Sequence, residues 1–377
     1  MITRRRHNYV FRTHDKWVTT SSSTQGLNLW TKIDRRYKPS SCYEKGACVV
    51  PKGHAGINLY GLFIFQKGGS EKVNGKLLQG LKNYEYKRKM EDYVIDRGYI
   101  PFEPQLFEEF EHFAIQNPRL PREELVVLLS GRQQILLLRP DITSALMKEI
   151  YPIALKEEKC KIFYQSIVYR NNEEGIKEIN QFGIENFGEI NESTEIEIIV
   201  MAIDLLSKQP FILEIGHTGF LEGLFNECDL TKEQKNLVKR LIYLKNSDEL
   251  KIWTEKTTLP KEVKRVLNEL FNLQGKGKEK VELLTSCILN KQMDEAVHKI
   301  LRLQEISPNI HVDFSIINEL DYYDGIVFKG YYDRLNKEVL RGGRYKVISE
   351  DSEKIMDAIG FSIDTNAWIE CQEVAYK

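Results

Sequence analysis

Nowhere in the 377 residues is there a run of 18 or more apolar residues, which excludes a membrane-spanning helix. Cysteine is sparse and unpatterned. Cys42, Cys48, Cys160, Cys228, Cys287 and Cys371 form no CxxC pair and have no histidine at ligand spacing. Neither a zinc site nor a disulfide framework is expected, no cofactor is called for, and a reducing cytoplasm fits best. Net charge is nearly absent as well, at −1, but the balance hides an asymmetry. Residues 1–72 hold 13 Lys and Arg against 4 Asp and Glu, a surplus of 9 positive charges, so the remainder carries −10 by difference. Affinity for nucleic acid comes largely from neutralised phosphates, and a body this acidic is poorly suited to that work.

What is present divides into two unlike parts. Residues 1–72 open on Arg4-Arg5-Arg6, pass through Thr19–Thr24 and Pro39-Ser40-Ser41, and show no sustained periodicity beyond an apolar patch at Leu59–Phe65. Three readings fit: an organellar transit peptide, a basic arm for nucleic acid, or a disordered or non-native extension upstream of a start at Val73. We favour the last. Residues 73–377 are then the folded part. Leu77, Leu78, Leu81, Tyr84, Met90, Tyr93 and Val94 form a helical stripe that Gly98 stops, and Tyr99–Pro104 follows as an extended segment.

Short apolar runs at Val126–Ser130 and Gln134–Leu138 predict a hairpin, and a helix is expected at Ser144–Tyr151. A second hairpin pairs Lys161–Tyr169 with Glu178–Phe187 around a loop at Asn171–Gly175. The 3-4 spacing of Ile196, Ile199, Val200, Ile203 and Leu206 predicts a helix over Thr194–Leu206, with a strand at Phe211–Gly216. Residues 232–304 are rich in Lys, Glu and Leu and read as an inserted helical subdomain broken at Gly275-Lys276-Gly277. Strands return at Val312–Ile316, Gly325–Tyr331 and Glu338–Leu340, and a strand and helix close the chain around Ala358–Ile369. Hairpins mixed with helices define an α+β fold on an antiparallel sheet flanked by helices.

Four segments, in order, carry a family resemblance across about residues 76–370. They are Leu138-Arg139-Pro140-Asp141-Ile142-Thr143, then Phe163-Tyr164 through Tyr169-Arg170 with Asn180-Gln181-Phe182-Gly183-Ile184-Glu185. Leu320-Asp321-Tyr322-Tyr323-Asp324-Gly325 follows, and then Arg341-Gly342-Gly343-Arg344-Tyr345 with Ala358-Ile359-Gly360-Phe361-Ser362. Together they resemble the class II histidyl-tRNA-synthetase-like proteins, and in particular the regulatory subunits of ATP phosphoribosyltransferase. The resemblance implies a class II synthetase fold and a pocket for histidine. It also implies a role as the non-catalytic partner of a separate short-form ATP phosphoribosyltransferase chain, in the first step of histidine biosynthesis. Histidine would be the effector, mediating feedback, and the chain would self-associate as a dimer. A true histidyl-tRNA synthetase, or a histidine-activating paralogue, is the alternative.

Histidine carries an ammonium, a carboxylate and an imidazole, each needing a partner when buried. Gln181, Gly183 and Glu185 lie at period two and share one strand face, so Gln181 and Glu185 can reach one ligand while Gly183 leaves it room. Asp141 and Glu185 suit the ammonium, and Thr143 adds a hydroxyl. Tyr322 and Tyr323 point to opposite faces if extended, so one ring at most meets the imidazole. The competing reading makes the tyrosines core aromatics and the carboxylates surface groups.

Arg139, Arg170 and Arg344 stand as possible residual motif residues. Other positions depart from the synthetase pattern. Asn318 and Ala367 fall where arginines hold the reacting carboxylate and ATP, and Lys177 and Lys346 replace an Arg and an Asp. Arginine's planar fork is hard to replace around a triphosphate, so adenylation is not expected. No loop of acidic pairs followed by small residues, as phosphoribosyl pyrophosphate requires, is present either. An anticodon-binding domain is expected to be absent, the chain ending soon after Phe361. The segment Gly98–Pro104 resembles the motif at the family's dimer interface, with its proline one residue early.

Overall fold

The computed structural model describes residues 8–13, 16–21, 71–116, 120–131, 133–157, 159–316, 323–335, 337–348 and 355–374. The chain divides into two units, Met1–Gly68 and Gly69–Lys377. In the first, β1 (Asn8–Thr13) pairs antiparallel with β2 (Lys16–Ser21), a hairpin that the sequence pattern does not announce.

The second unit opens with α1 (Glu71–Ile95). Its end is a left-handed Gly98 at φ +83°, with the Tyr99 amide returning to Val94 O at 3.2 Å. Only glycine takes that backbone without penalty. The chain then runs through β3 (Ile100–Pro101), β4 (Phe107–Glu109), α2 (Phe110–Gln116), β5 (Val127–Leu129), β6 (Ile135–Leu138) and α3 (Ile142–Glu157). Strands β4, β6 and β5 form a small antiparallel sheet, which contains the expected hairpin.

The long hairpin of β7 (Lys159–Asn172) and β8 (Gly175–Gly188) turns on Glu173-Glu174, with Gly175 at φ +112°. Next come α4 (Glu192–Leu206), β9 (Phe211–His217) and α5 (Thr218–Asn226). Residues 232–304 hold five helices: α6 (Lys232–Tyr243), α7 (Ser247–Lys256), α8 (Lys261–Glu269), α9 (Lys278–Ser286) and α10 (Lys291–Gln304). Between α8 and α9 a two-residue strand, β10 (Gln274–Gly275), joins the sheet edge through β11 (Ile310–Asp313). The last elements are β12 (Tyr323–Tyr332), β13 (Glu338–Ile348), β14 (Ile355–Asp364) and α11 (Thr365–Val374). Among the described residues no helix is long and apolar enough to cross a membrane.

The main sheet has nine strands in the order β10-β11-β9-β12-β13-β14-β8-β7-β3. All neighbours are antiparallel except β11 with β9 and β3 with β7. Antiparallel hairpins therefore build the centre, and two parallel pairs lie towards the edges. Alternation along each strand sorts side chains to two faces. On one face Phe182, Ile184, Ile359, Phe361 and Ile363 enter the large core with residues of α4, α5, α10 and α11. Trp368 Nε1 donates to Leu205 O at 2.8 Å and pins α11 against α4. Val238, Val266, Leu284 and Ile300 belong to that same core, so the 232–304 helices share the sheet's interior rather than enclosing one of their own. On the other face Ile162, Tyr164, Val168, Phe187, Tyr345 and Ala358 pack with Ile142, Leu146 and Ile150 of α3. The cleft described next lies on this second face.

Candidate ligand-binding site

The register of three strands assembles the site. Ile162 of β7 stands opposite Glu185 of β8, which stands opposite Gly360 of β14. A Cβ at Gly360 would lie 2.0 Å from Glu185 Oε2 and 2.2 Å from Ile184 O, so the bare glycine gives the carboxylate its room. Asp141 precedes α3 and accepts from the Ser144 amide at 2.8 Å, an N-cap that fixes its carboxylate. Thr143 follows in the first turn. Tyr323 comes from the start of β12, and Gly343 leaves its ring space, because a Cβ there would sit 2.6 Å from it.

These elements enclose a cleft of about 320 Å³. Asp141, Thr143, Gln181, Glu185 and Tyr323 all line it. Five of the six residues proposed for histidine thus meet in one cavity. The sixth, Tyr322, lies outside the described residues, as does Asn318. Glu185 is 3% exposed, and Tyr345 Oη donates to its Oε2 at 2.9 Å. The Thr143 hydroxyl bonds to it as well. Burial pushes the Glu185 carboxyl up to about 8, although both hydrogen bonds pull the other way. Burial likewise raises Asp141, against the nearby Arg170 and Arg341.

Two features differ from the sequence reading. Gly183 leaves room not for a ligand but for Tyr164: a Cβ there would lie 2.3 Å from the phenol. Tyr345, which that reading did not assign to the ligand, lines the cleft together with Tyr164 and Ser362. The available signal was its parity with Gly343, two residues earlier on the same strand face.

The three arginines separate. Arg170 lines the cleft, where its Nη1 lies 3.6 Å from Glu124 Oε2. Arg139 is 4% exposed and spends its guanidinium on Pro104 O, Gln105 O and Ile167 O at 2.6 to 3.2 Å. It clamps the segment after β3 to β7. Arg344 points to the opposite sheet face, 3.1 Å from the buried Glu195 and 2.9 Å from Asp357. Ala367 is fully buried in the main core, and Lys346 pairs with Asp324. Lys177, Lys337 and Arg341 also line the cleft, Lys177 exposed and the other two beside carboxylates. Lys337 lies 3.2 Å from Asp364, and Arg341 pairs with Glu338. Among the described residues no three His, Cys, Asp or Glu side chains converge as a metal site.

A largely antiparallel sheet with the main helical core on one face and, on the other, α3 and a cleft between strands and helix start is the class II aminoacyl-tRNA-synthetase-like fold. The family model described as histidyl-tRNA synthetase matches residues 79–368, and the chain belongs to that family. Its relatives include an ATP phosphoribosyltransferase regulatory subunit from Clostridium kluyveri, 29% identical over 78% of each chain. Another, from Oceanobacillus iheyensis, is 25% identical over 75% of this chain and 72% of its own. Among solved structures, an ATP phosphoribosyltransferase regulatory subunit/histidyl-tRNA synthetase from Bacillus halodurans C superposes with a TM-score of 0.69 at 24% identity, covering 77% of this chain and 79% of that one. The ATP phosphoribosyl transferase (HisG:HisZ) complex from Thermotoga maritima gives 0.58 at 21%, covering 74% and 96%.

Proposed function

We propose that this chain is a non-catalytic regulatory subunit that binds free histidine and activates a separate ATP phosphoribosyltransferase chain. The observation that carries the reading is the cleft itself. Two carboxylates, a hydroxyl, an amide and a tyrosine suited to one amino acid line it, while Arg170, Lys337 and Arg341 pair with carboxylates of this chain. A triphosphate would have to displace Glu124, Asp364 and Glu338 to recruit them. Catalysis of phosphoryl chemistry rests on cations already aimed at developing charge. The names carried by the relatives support the same assignment. Histidine would act by linkage, altering activity only through unequal affinity for two states of the complex.

Self-association is part of the proposal. Ile100 (64% exposed), Phe107, Val127, Leu129 (75%), Ile135 and Ile153 leave apolar side chains uncovered on the small sheet and its neighbours. Exposed apolar side chains such as the cross-strand pair Leu129 and Ile135 favour an interaction surface, and a second copy of the chain is the occupant proposed here. Because Arg170 still faces the cleft, a histidine-activating enzyme is the second reading. Histidine calorimetry tests the first, and histidine-dependent ATP–pyrophosphate exchange by the purified chain would establish the second in its place.

A further inference from the structure

Among the described residues, Glu185 is a buried carboxyl with no cation among the groups acting on it. The groups acting on it come from every element around it: Tyr345 of β13, Thr143 of α3, and the carboxyl of Asp141 ahead of α3. Tyr164 of β7 and Tyr323 of β12 line the same cleft, and β14 presents the bare Gly360. Among these described residues the side chains acting on Glu185 are hydroxyls and another carboxyl, none of them cationic. Arg170 and Arg341 act instead on Asp141. A buried carboxyl beside a second carboxyl and without a cation is held in its neutral form.

We propose that the empty cleft stores a proton on Glu185, and that the ammonium of histidine displaces it on binding. The exchange balances: the neutral acid and the ammonium give a carboxylate–ammonium pair and one proton delivered to solvent. The inference rests on the cleft being the histidine site. Its consequence is a pH-dependent sensor. Below a pH of about 8, where the carboxyl titrates, each binding event must expel a proton, so affinity falls as the solution becomes more acidic. Above it the carboxylate is preformed and this dependence disappears.

Calorimetry of the full chain at pH 7.5, in two buffers of different ionisation enthalpy, counts the protons. The ligand imidazole, titrating near 6.5, is mostly neutral there. A group with pKa about 8 is roughly three-quarters protonated at that pH, so about 0.7 proton should leave per histidine bound. Infrared difference spectra on adding histidine should lose a protonated-carboxyl band. That loss should be missing in Glu185→Gln at saturating ligand. Histidine binding with no proton release and no band change overturns the stored proton while leaving the cleft intact. Absence of histidine binding overturns both. Should Glu185→Gln not fold, the wild-type proton count and spectrum decide alone.

Discussion

At the scale of single residues the proposed site turns on Glu185, at 3% exposed the most buried of the described residues proposed for the ligand. Glu185→Gln removes the charge that would face an ammonium, at a cost of about 2–5 kcal/mol. With ~1.4 kcal/mol per decade, histidine affinity in calorimetry should fall roughly 30-fold or more. Unchanged affinity would place the ligand elsewhere. The same substitution should act oppositely on stability. A carboxyl raised from 4.5 to about 8 is neutral in the fold at pH values where the unfolded chain has already ionised it. The resulting penalty is absent below pH 4.5, grows through the window, and is complete above about 8. The ligand-free variant should therefore melt higher than wild type at pH 8, and the gap should close towards pH 5, changing by up to about 1.4 kcal/mol per pH unit. A constant gap would mean that Glu185 is not held neutral. Gln181, Glu185, Asp141 and Thr143 were legible because short motifs fix their parity and their place before a helix. Tyr345 was not, because its contact with Glu185 joins positions 160 residues apart, a distance that no local pattern encodes.

At the scale of elements, strands were read where apolar alternation was clean and shortened where glycine intervened. The expected Glu338–Leu340 strand runs on to Ile348 as β13. Gly342 and Gly343 look like breakers but are fillers: a Cβ at either would meet the Phe328 or Tyr323 ring at 2.5 to 2.6 Å. Likewise α3 continues past Pro152 to Glu157, since a proline loses one amide donor without ending every helix. Strand β10 was invisible because two residues carry no periodicity. The glycine logic supports a prediction. Gly360→Ala should destabilise the fold by about 1–3 kcal/mol, the usual cost of overpacking, and abolish measurable histidine binding by displacing the Glu185 carboxylate. A variant of wild-type stability and affinity would show that β8 and β14 are less tightly seated than the register implies. Helix α1 begins at Glu71 inside the unit starting at Gly69, two residues before the expected start at Val73. A chain truncated to Gly69–Lys377 should keep full-length thermal stability. A large loss would assign the preceding residues to the fold.

At the scale of the whole molecule, fold and family were legible from four motifs in order, since each places a residue around one cleft, three of them from strands of the main sheet and the first from the start of α3. The direction of the sheet's outer pairs was not, because parallel and antiparallel partners impose the same alternation on a strand. The uncovered apolar side chains of the small sheet predict a dimer by sedimentation, and Leu129→Lys should shift it towards monomer with the fold intact; a wild-type monomer at micromolar concentration would contradict the assignment. The central claim concerns what the chain does to another protein. The most direct measurement is the rate of phosphoribosyl transfer to ATP by a short-form catalytic chain from the same source, with and without this protein and histidine. The account predicts that adding this chain raises the rate, that histidine lowers it again, and that Glu185→Gln preserves activation while blunting the response to histidine. A catalytic chain equally active alone and insensitive to this protein would contradict it.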